Sequence, residues 1–215
     1  MQFRVILVAV CAVGCAKAGE ESRAVDAATG SHADASQSPG DARADATASG
    51  TCQHATSGVL ATYSFTSETG NQTSTAAASS ATGLTASALQ RSSGLTAVSG
   101  AGSINSSGWP TAAQLDATKY YTFTLMPPSG CTLTLSSSAV DAKASSTGPA
   151  SAAIATSKDS YAATATVSTS APSTPTLSVT AATGTIEVRI YGWAASSTSG
   201  TFRVQNTLTI SGSLQ

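Results

Sequence analysis

The sequence predicts an all-β fold, an antiparallel β-sandwich or jelly-roll-like domain, on three observations. Residues 184–212, GTIEVRIYGWAASSTSGTFRVQNTLTISG, alternate apolar and polar over two runs separated by a Ser/Ala/Thr/Gly loop. This period of two marks half-buried antiparallel strands, and the stretch reads as a hairpin whose apolar face must be covered by a second sheet. Short candidate strands then recur between turn signals through the rest of the chain, the spacing of a sandwich. No segment of useful length carries a helical period, because Ser, Thr and Gly interrupt every Ala-rich run.

Within the hairpin, Ile186, Val188 and Ile190 point one way, and Glu187, Arg189, Tyr191 and Trp193 the other. After the loop, Phe202, Val204, Leu208 and Ile210 share a face, opposite Thr201, Arg203, Gln205, Thr207 and Thr209. The inward sets are core candidates. The outward Arg189, Tyr191 and Trp193 are the candidate ligand-binding cluster.

A chain of 215 residues suits one folded domain with appendages. Only 10% of its residues are charged and the net charge is -1. That balance gives no electrostatic footprint for nucleic acid or for an anionic membrane surface. The small, polar, uncharged composition leans towards an extracellular all-β protein.

The N-terminus sets the expected address. In residues 1–14, Arg4 precedes an apolar run, Val5 to Val13, too short to span a bilayer as a mature helix but suited to a signal-peptide core. The run ends Ala12-Val13-Gly14-Cys15, which resembles the bacterial lipoprotein signal. The resemblance implies that Cys15 is lipidated and becomes the mature N-terminus. Ala16 in place of Asp resembles an outer-membrane sorting context. The alternative is an ordinary cleaved leader with Cys15 incidental. Lipid chains contribute about 0.8 kcal/mol per buried methylene, so a multiply acylated cysteine would hold the chain firmly.

Residues 15–51 read as a disordered Ala/Asp/Ser-rich tether, with Val25 the single large aliphatic side chain and nothing to bury. A flexible coil reaches about 5–6 Å times the square root of its residue number, hence a few tens of ångströms here. His32 in this stretch reads as a free tether histidine.

Residues 52–215 are the expected β-sandwich domain. Its first strand is 58–65, with Val59, Ala61, Tyr63 and Phe65 on one face and Leu60, Thr62 and Ser64 on the other. Residues 66–81 read as loop, and Leu84, Leu89 and Leu95 mark a strand or an irregular crossing. Residues 97–114 read as a long connection in which Trp109 is a buried anchor and Pro110 blocks regular structure. Residues 119–126 place Tyr121, Phe123 and Leu125 together, and the turn Pro127-Pro128-Ser129-Gly130 leads into alternating Cys131, Leu133 and Leu135. Further short strands are expected at 139–145, 151–156, 161–167 and 176–180.

The inward list is short against a backbone ordering cost of about 1–2 kcal/mol per residue, so a covalent staple would help. Cys52 and Cys131 are the cysteines beyond the leader, and the expected compartment is oxidising. A Cys52–Cys131 disulfide is expected, against two free thiols or pairing with another molecule. It would contribute roughly 4–5 kcal/mol in the chain-entropy picture.

Residues 120–161, 186–212 and 58–65 together resemble an uncharacterised β-sandwich domain of secreted and surface-anchored bacterial proteins. In that family an aromatic strand, a turn, an apolar strand and a Ser-Thr-Gly-Pro turn precede a late Arg-Ile-Tyr-Gly strand. The final strand there commonly carries an Asp-Asn pair. Gln205-Asn206 stands at that place here, which removes a carboxylate from any cation site the resemblance would imply.

No catalytic constellation is legible. His54 is the domain's one histidine, and no Gly-x-Ser-x-Gly elbow occurs. Glu68, Asp116, Asp141, Asp159 and Glu187 sit in unrelated turns and strands without the motif of a glycosidase pair. Cys52-Gln53-His54 falls short of a tetrahedral metal set. No residue is therefore assigned to catalysis, to a metal or to a cofactor. The expectation is a non-catalytic, lipid-anchored envelope protein of the outer membrane, or otherwise a secreted one, with a structural or adhesive role. Its partners would be the membrane through the lipid, and a surface glycan or an envelope protein. The alternative is a carbohydrate-binding module stacking sugars on Tyr191 and Trp193, and a more distant one is a secreted hydrolase.

Overall fold

A computed structural model describes residues 51–215, so the leader, Cys15 and nearly all of the tether lie outside the described residues. The described chain is an antiparallel β-sandwich. Its strands are β1 (Thr56–Ser64), β2 (Ser74–Thr75), β3 (Ala77–Ser80), β4 (Thr85–Ala86), β5 (Leu89–Arg91), β6 (Thr96–Ala97) and β7 (Ser103–Ser107). They continue as β8 (Tyr120–Met126), β9 (Leu133–Ala144), β10 (Pro149–Thr156), β11 (Thr164–Val167), β12 (Thr176–Ala182), β13 (Ile186–Ala195) and β14 (Phe202–Leu214). One sheet runs β12-β9-β14-β1-β3, with β7 also on β14 and β6 beyond it. The other runs β11-β10-β13-β8-β5-β2, with β4 beside β8.

The predicted 184–212 hairpin is not one. β13 pairs with β8 and β10, whereas β14 pairs with β9, β1 and β7, in the opposite sheet. Alternation states which face of a strand is apolar, but not which strand supplies its hydrogen bonds. The connection at 196–201 is long enough to step the roughly 10 Å between packed sheets. From β8 onward the chain changes sheet at every connection except β10–β11. The two apolar faces of the stretch therefore pack against each other. Ile186, Val188, Ile190, Phe202, Val204, Leu208 and Ile210 are all buried.

Irregularities in register explain where the simple alternation fails. β1 slips between Val59 and Ala61 against β14, so Leu60 turns inward and Val59, expected beside Ala61, is 58% exposed. β14 carries extra residues between Val204 and Leu208 relative to β9, centred on Asn206 at φ 56. Asparagine is among the few side chains that tolerate this left-handed conformation. The strands expected at 131–136 and 139–145 are one strand, β9, because β14 is long enough to pair along all of it. Strand structure also enters two stretches read as loops, β2 and β3 in the first and β7 in the second. Polar β7 is legible only through its neighbours: Ser103, Asn105 and Ser106 are buried because β6 and β14 flank it.

Two features close the core. Trp109 is fully buried, 5.4 Å centroid to centroid from both Tyr121 and Phe202, and its indole N–H donates to the Ser106 carbonyl at 2.8 Å. The Tyr121 hydroxyl crosses between the sheets to donate to the Phe202 carbonyl at 2.6 Å. The Cys52–Cys131 disulfide is formed, joining the chain ahead of β1 to the turn just before β9.

Trp109→Ala is expected to lower the unfolding free energy by about 3–5 kcal/mol in urea denaturation, the cost of emptying a large aromatic site. Cys52→Ser should cost about 2–5 kcal/mol. Reductant should shift the wild-type midpoint towards that of Cys52→Ser and leave the variant itself unmoved.

Candidate functional site

The candidate cluster lies on the outer face of the second sheet, where β8, β10 and β13 run side by side. Register sets Tyr191 opposite Tyr120 and Arg189 opposite Thr122 on one flank, with Ala153 and Ala155 facing them from β10 on the other. Both alanines are buried, which fits a polar layer laid across the sheet. A 3-10 turn at Ser157–Asp159 follows β10, and Ser160 and Tyr161 are both left-handed, at φ 58 and 64. Such conformations cost about 1–3 kcal/mol each for residues other than glycine, so other contacts must hold them.

Tyr161 supplies those contacts. The Arg189 guanidinium lies between two tyrosine rings, 4.1 Å from the Tyr120 centroid and 4.0 Å from the Tyr161 centroid. It also donates to Glu187, from Nε to Oε1 at 2.7 Å and from Nη2 to Oε2 at 3.2 Å. The Tyr161 hydroxyl donates to Oε2 at 2.6 Å, and the Thr122 hydroxyl donates to Oε1 at 2.8 Å. Both oxygens of Glu187 thus accept from two donors each. Tyr191 completes the layer edge-on to Tyr120 at 5.7 Å.

The electrostatics follow from this packing. Burial opposes ionisation of Glu187, but donation from Arg189, Tyr161 and Thr122 and the arginine charge outweigh it, holding the carboxyl below its ordinary range. Burial likewise opposes the Arg189 charge, and the bond to Glu187 overrides it, so the guanidinium holds its proton more tightly than usual. Burial first, and then the hydrogen bond to the Glu187 carboxylate, push the Tyr161 hydroxyl upward. The cluster is a closed, internally neutralised unit. It leaves no unsatisfied carboxylate oxygen for a proton transfer.

The three predicted binding residues therefore part company. Arg189 and Tyr191 do meet, but Arg189 is sandwiched and Tyr191 is 2% exposed, so neither presents a face to a ligand. Tyr191 was expected on the surface because it shares the outward side of β13. Outward of the sheet is not outward of the protein where aromatic side chains cover it. Trp193 is partly exposed and lines a separate shallow groove of about 450 Å³ with Ser151, Thr166 and 168–170. Sequence reasoning missed Tyr120, Thr122 and Tyr161. The first two were available from the alternation of β8, whereas Tyr161 comes from a turn whose backbone no periodicity reports.

Several of the remaining chemistry-bearing residues are tied up locally. Gln205 Nε2 and Asn206 Nδ2 donate to Asp141 at 3.1 and 2.5 Å, so this pair holds a carboxylate rather than adding one. Asp116 accepts from Thr118, and Asp159 from the Ala163 N–H. Arg91, without a carboxylate, donates to the carbonyls of Gln72, Gly70 and Asn105 and to the Ser106 hydroxyl. The two clefts lined by His54 contain no carboxylate, so no triad assembles on it. Among the described residues no three His, Cys, Asp or Glu side chains gather as metal ligands. Comparison with known protein families, curated proteins and solved structures yields no match to this chain.

The depressed Glu187 carboxyl fixes the sign of a pH effect. Its stabilisation is fully present above the ordinary glutamate value of 4.5 and is lost as pH falls through the lower folded value. Glu187→Gln should therefore be less stable than wild type at neutral pH, and the gap should close on acidification below that value. Denaturant midpoints measured across the pH range check this; a gap that stays constant would contradict it.

Proposed function

We propose that this chain is a lipid-anchored, non-catalytic protein of the bacterial cell envelope, with a structural or adhesive role. In this reading Cys15 carries the lipid, residues 16–51 form the tether, and the sandwich is the working domain. The sandwich would be of the kind found in secreted and surface-anchored bacterial proteins. The observation that carries the reading is the Cys52–Cys131 disulfide, which suits the oxidising compartment to which the leader would deliver the chain. The polar cluster on β8 and β13 supports it from the other side, since charges that satisfy one another rigidify a face and leave nothing to react.

Carbohydrate binding is a second reading, favoured by the Trp193 groove. An accessible indole beside the Ser151 and Thr166 hydroxyls, with no charged residue in the lining, suits the face of a neutral sugar ring. Tyr191 takes no part in it.

Cells fed radiolabelled palmitate should label the wild-type chain and not Cys15→Ser; label retained by the variant would sink the anchor. On a glycan array, Trp193→Ala should abolish any binding seen with wild type. Retention by Trp193→Ala would remove the groove from the account.

A further inference from the structure

We infer that a cleft on the outer face of the first sheet, between Lys143 of β9 and Arg203 of β14, binds a phosphate group. The two cations stand directly opposite each other in the β9–β14 register. Like charges in that position repel and weaken a strand pair. Three of the four other described cations have partners: Arg91 and Lys119 donate to backbone carbonyls, and Arg189 to Glu187. Among the described residues Lys143 and Arg203 make no hydrogen bond, although Asp141 is on the same face of β9 two residues away. Its carboxylate is held by Gln205 and Asn206 instead. The arrangement keeps two positive charges together and a nearby negative one occupied.

The cleft is small and open to solvent on one side, with Lys143 and Ser145 exposed. Its volume is about 170 Å³, and Ala144, Ser145 and Thr201 line it with the two cations. Two connections, 145–148 and 196–201, meet at its end: the Ser145 N–H donates to the Thr201 carbonyl and the Thr201 N–H to the Ser145 hydroxyl oxygen, both at 2.9 Å. Their approach requires Gly148 and Gly200, where a Cβ would overlap the carbonyls of Thr201 and Thr147. Because the Ser145 oxygen accepts from Thr201, its proton is directed to another acceptor. Two cations and hydroxyl donors at one small cleft match a doubly charged tetrahedral oxyanion better than a singly charged carboxylate. A soluble phosphomonoester, or a lipid headgroup that ends in one as phosphatidic acid does, would each supply it.

The purified full-length protein, thermally unfolded in inorganic phosphate and in chloride of equal ionic strength, tests the site without reliance on the anchor. Ligand that binds only the folded state raises its melting temperature. Phosphate should raise the wild-type value saturably and shift the Ser145 and Thr201 amide resonances. The double variant Lys143→Gln/Arg203→Gln should lose both effects, and Lys143→Arg should keep them. In chloride the double variant should melt no lower than wild type, which separates lost binding from misfolding. Flotation with phosphatidic acid against phosphatidylcholine vesicles then assigns the source. Retention by the anionic vesicles alone, dependent on the two cations, indicates a lipid headgroup, and phosphate binding without retention indicates a soluble phosphate ester. Equal phosphate effects on wild type and double variant would mean an adventitious ion only and would overturn the proposal.

Discussion

The structure depends on the contact among Trp109, Tyr121 and Phe202. Tyr121 belongs to the second sheet and Phe202 to the first, and Trp109 enters from the connection between β7 and β8. Much of the surrounding core is small: Ala142, Ala152 and Ala195 are buried with the leucines and isoleucines. Against such thin side chains, large aromatics fill the volume between sheets, and each contributes about 0.5–1.5 kcal/mol beyond its buried area when well paired. Their polar tips end on backbone carbonyls, so the centre of the sandwich leaves neither the indole N–H nor the Tyr121 hydroxyl unpartnered.

Scarce charge is the second constraint. A chain with so few ionised residues has few salt bridges to spend on its surface, and among the described residues one is formed, Arg189 to Glu187. Three of the six described cations, Arg91, Lys119 and Arg189, act as fasteners. Arg91 gathers three carbonyls from two separate segments, which pins the loop at 70–72 to β7. Arg189 holds the strained Tyr161 turn down on β13. Lys143 and Arg203 stand out because two cations face each other across paired strands, which is why charge rather than aromaticity directs attention to the first sheet.

The alternation and the arrangement of strands carry different information. Inward residues of β8 and β14 were legible because each strand keeps its phase on either side of any irregularity. The slip at Val59 was not, since a bulge changes phase without changing composition. The candidate site shows the same division. Glu187 and Arg189 are two apart on one strand and necessarily share a face, whereas their cover, Tyr161, depends on two left-handed residues that resemble any other polar turn.

The residues alone specify an all-β sandwich, the apolar faces of its last two strands and a cysteine pair to staple it, because period, turn chemistry and cysteine count are local properties. The pairing of those strands, the burial of Tyr191 and the meeting of Lys143 with Arg203 are not local. Each follows from which strand lies beside which, and two chains with the same alternation can differ in that. The stretch that reads as one hairpin is in fact the two halves of the core, facing each other across the sandwich.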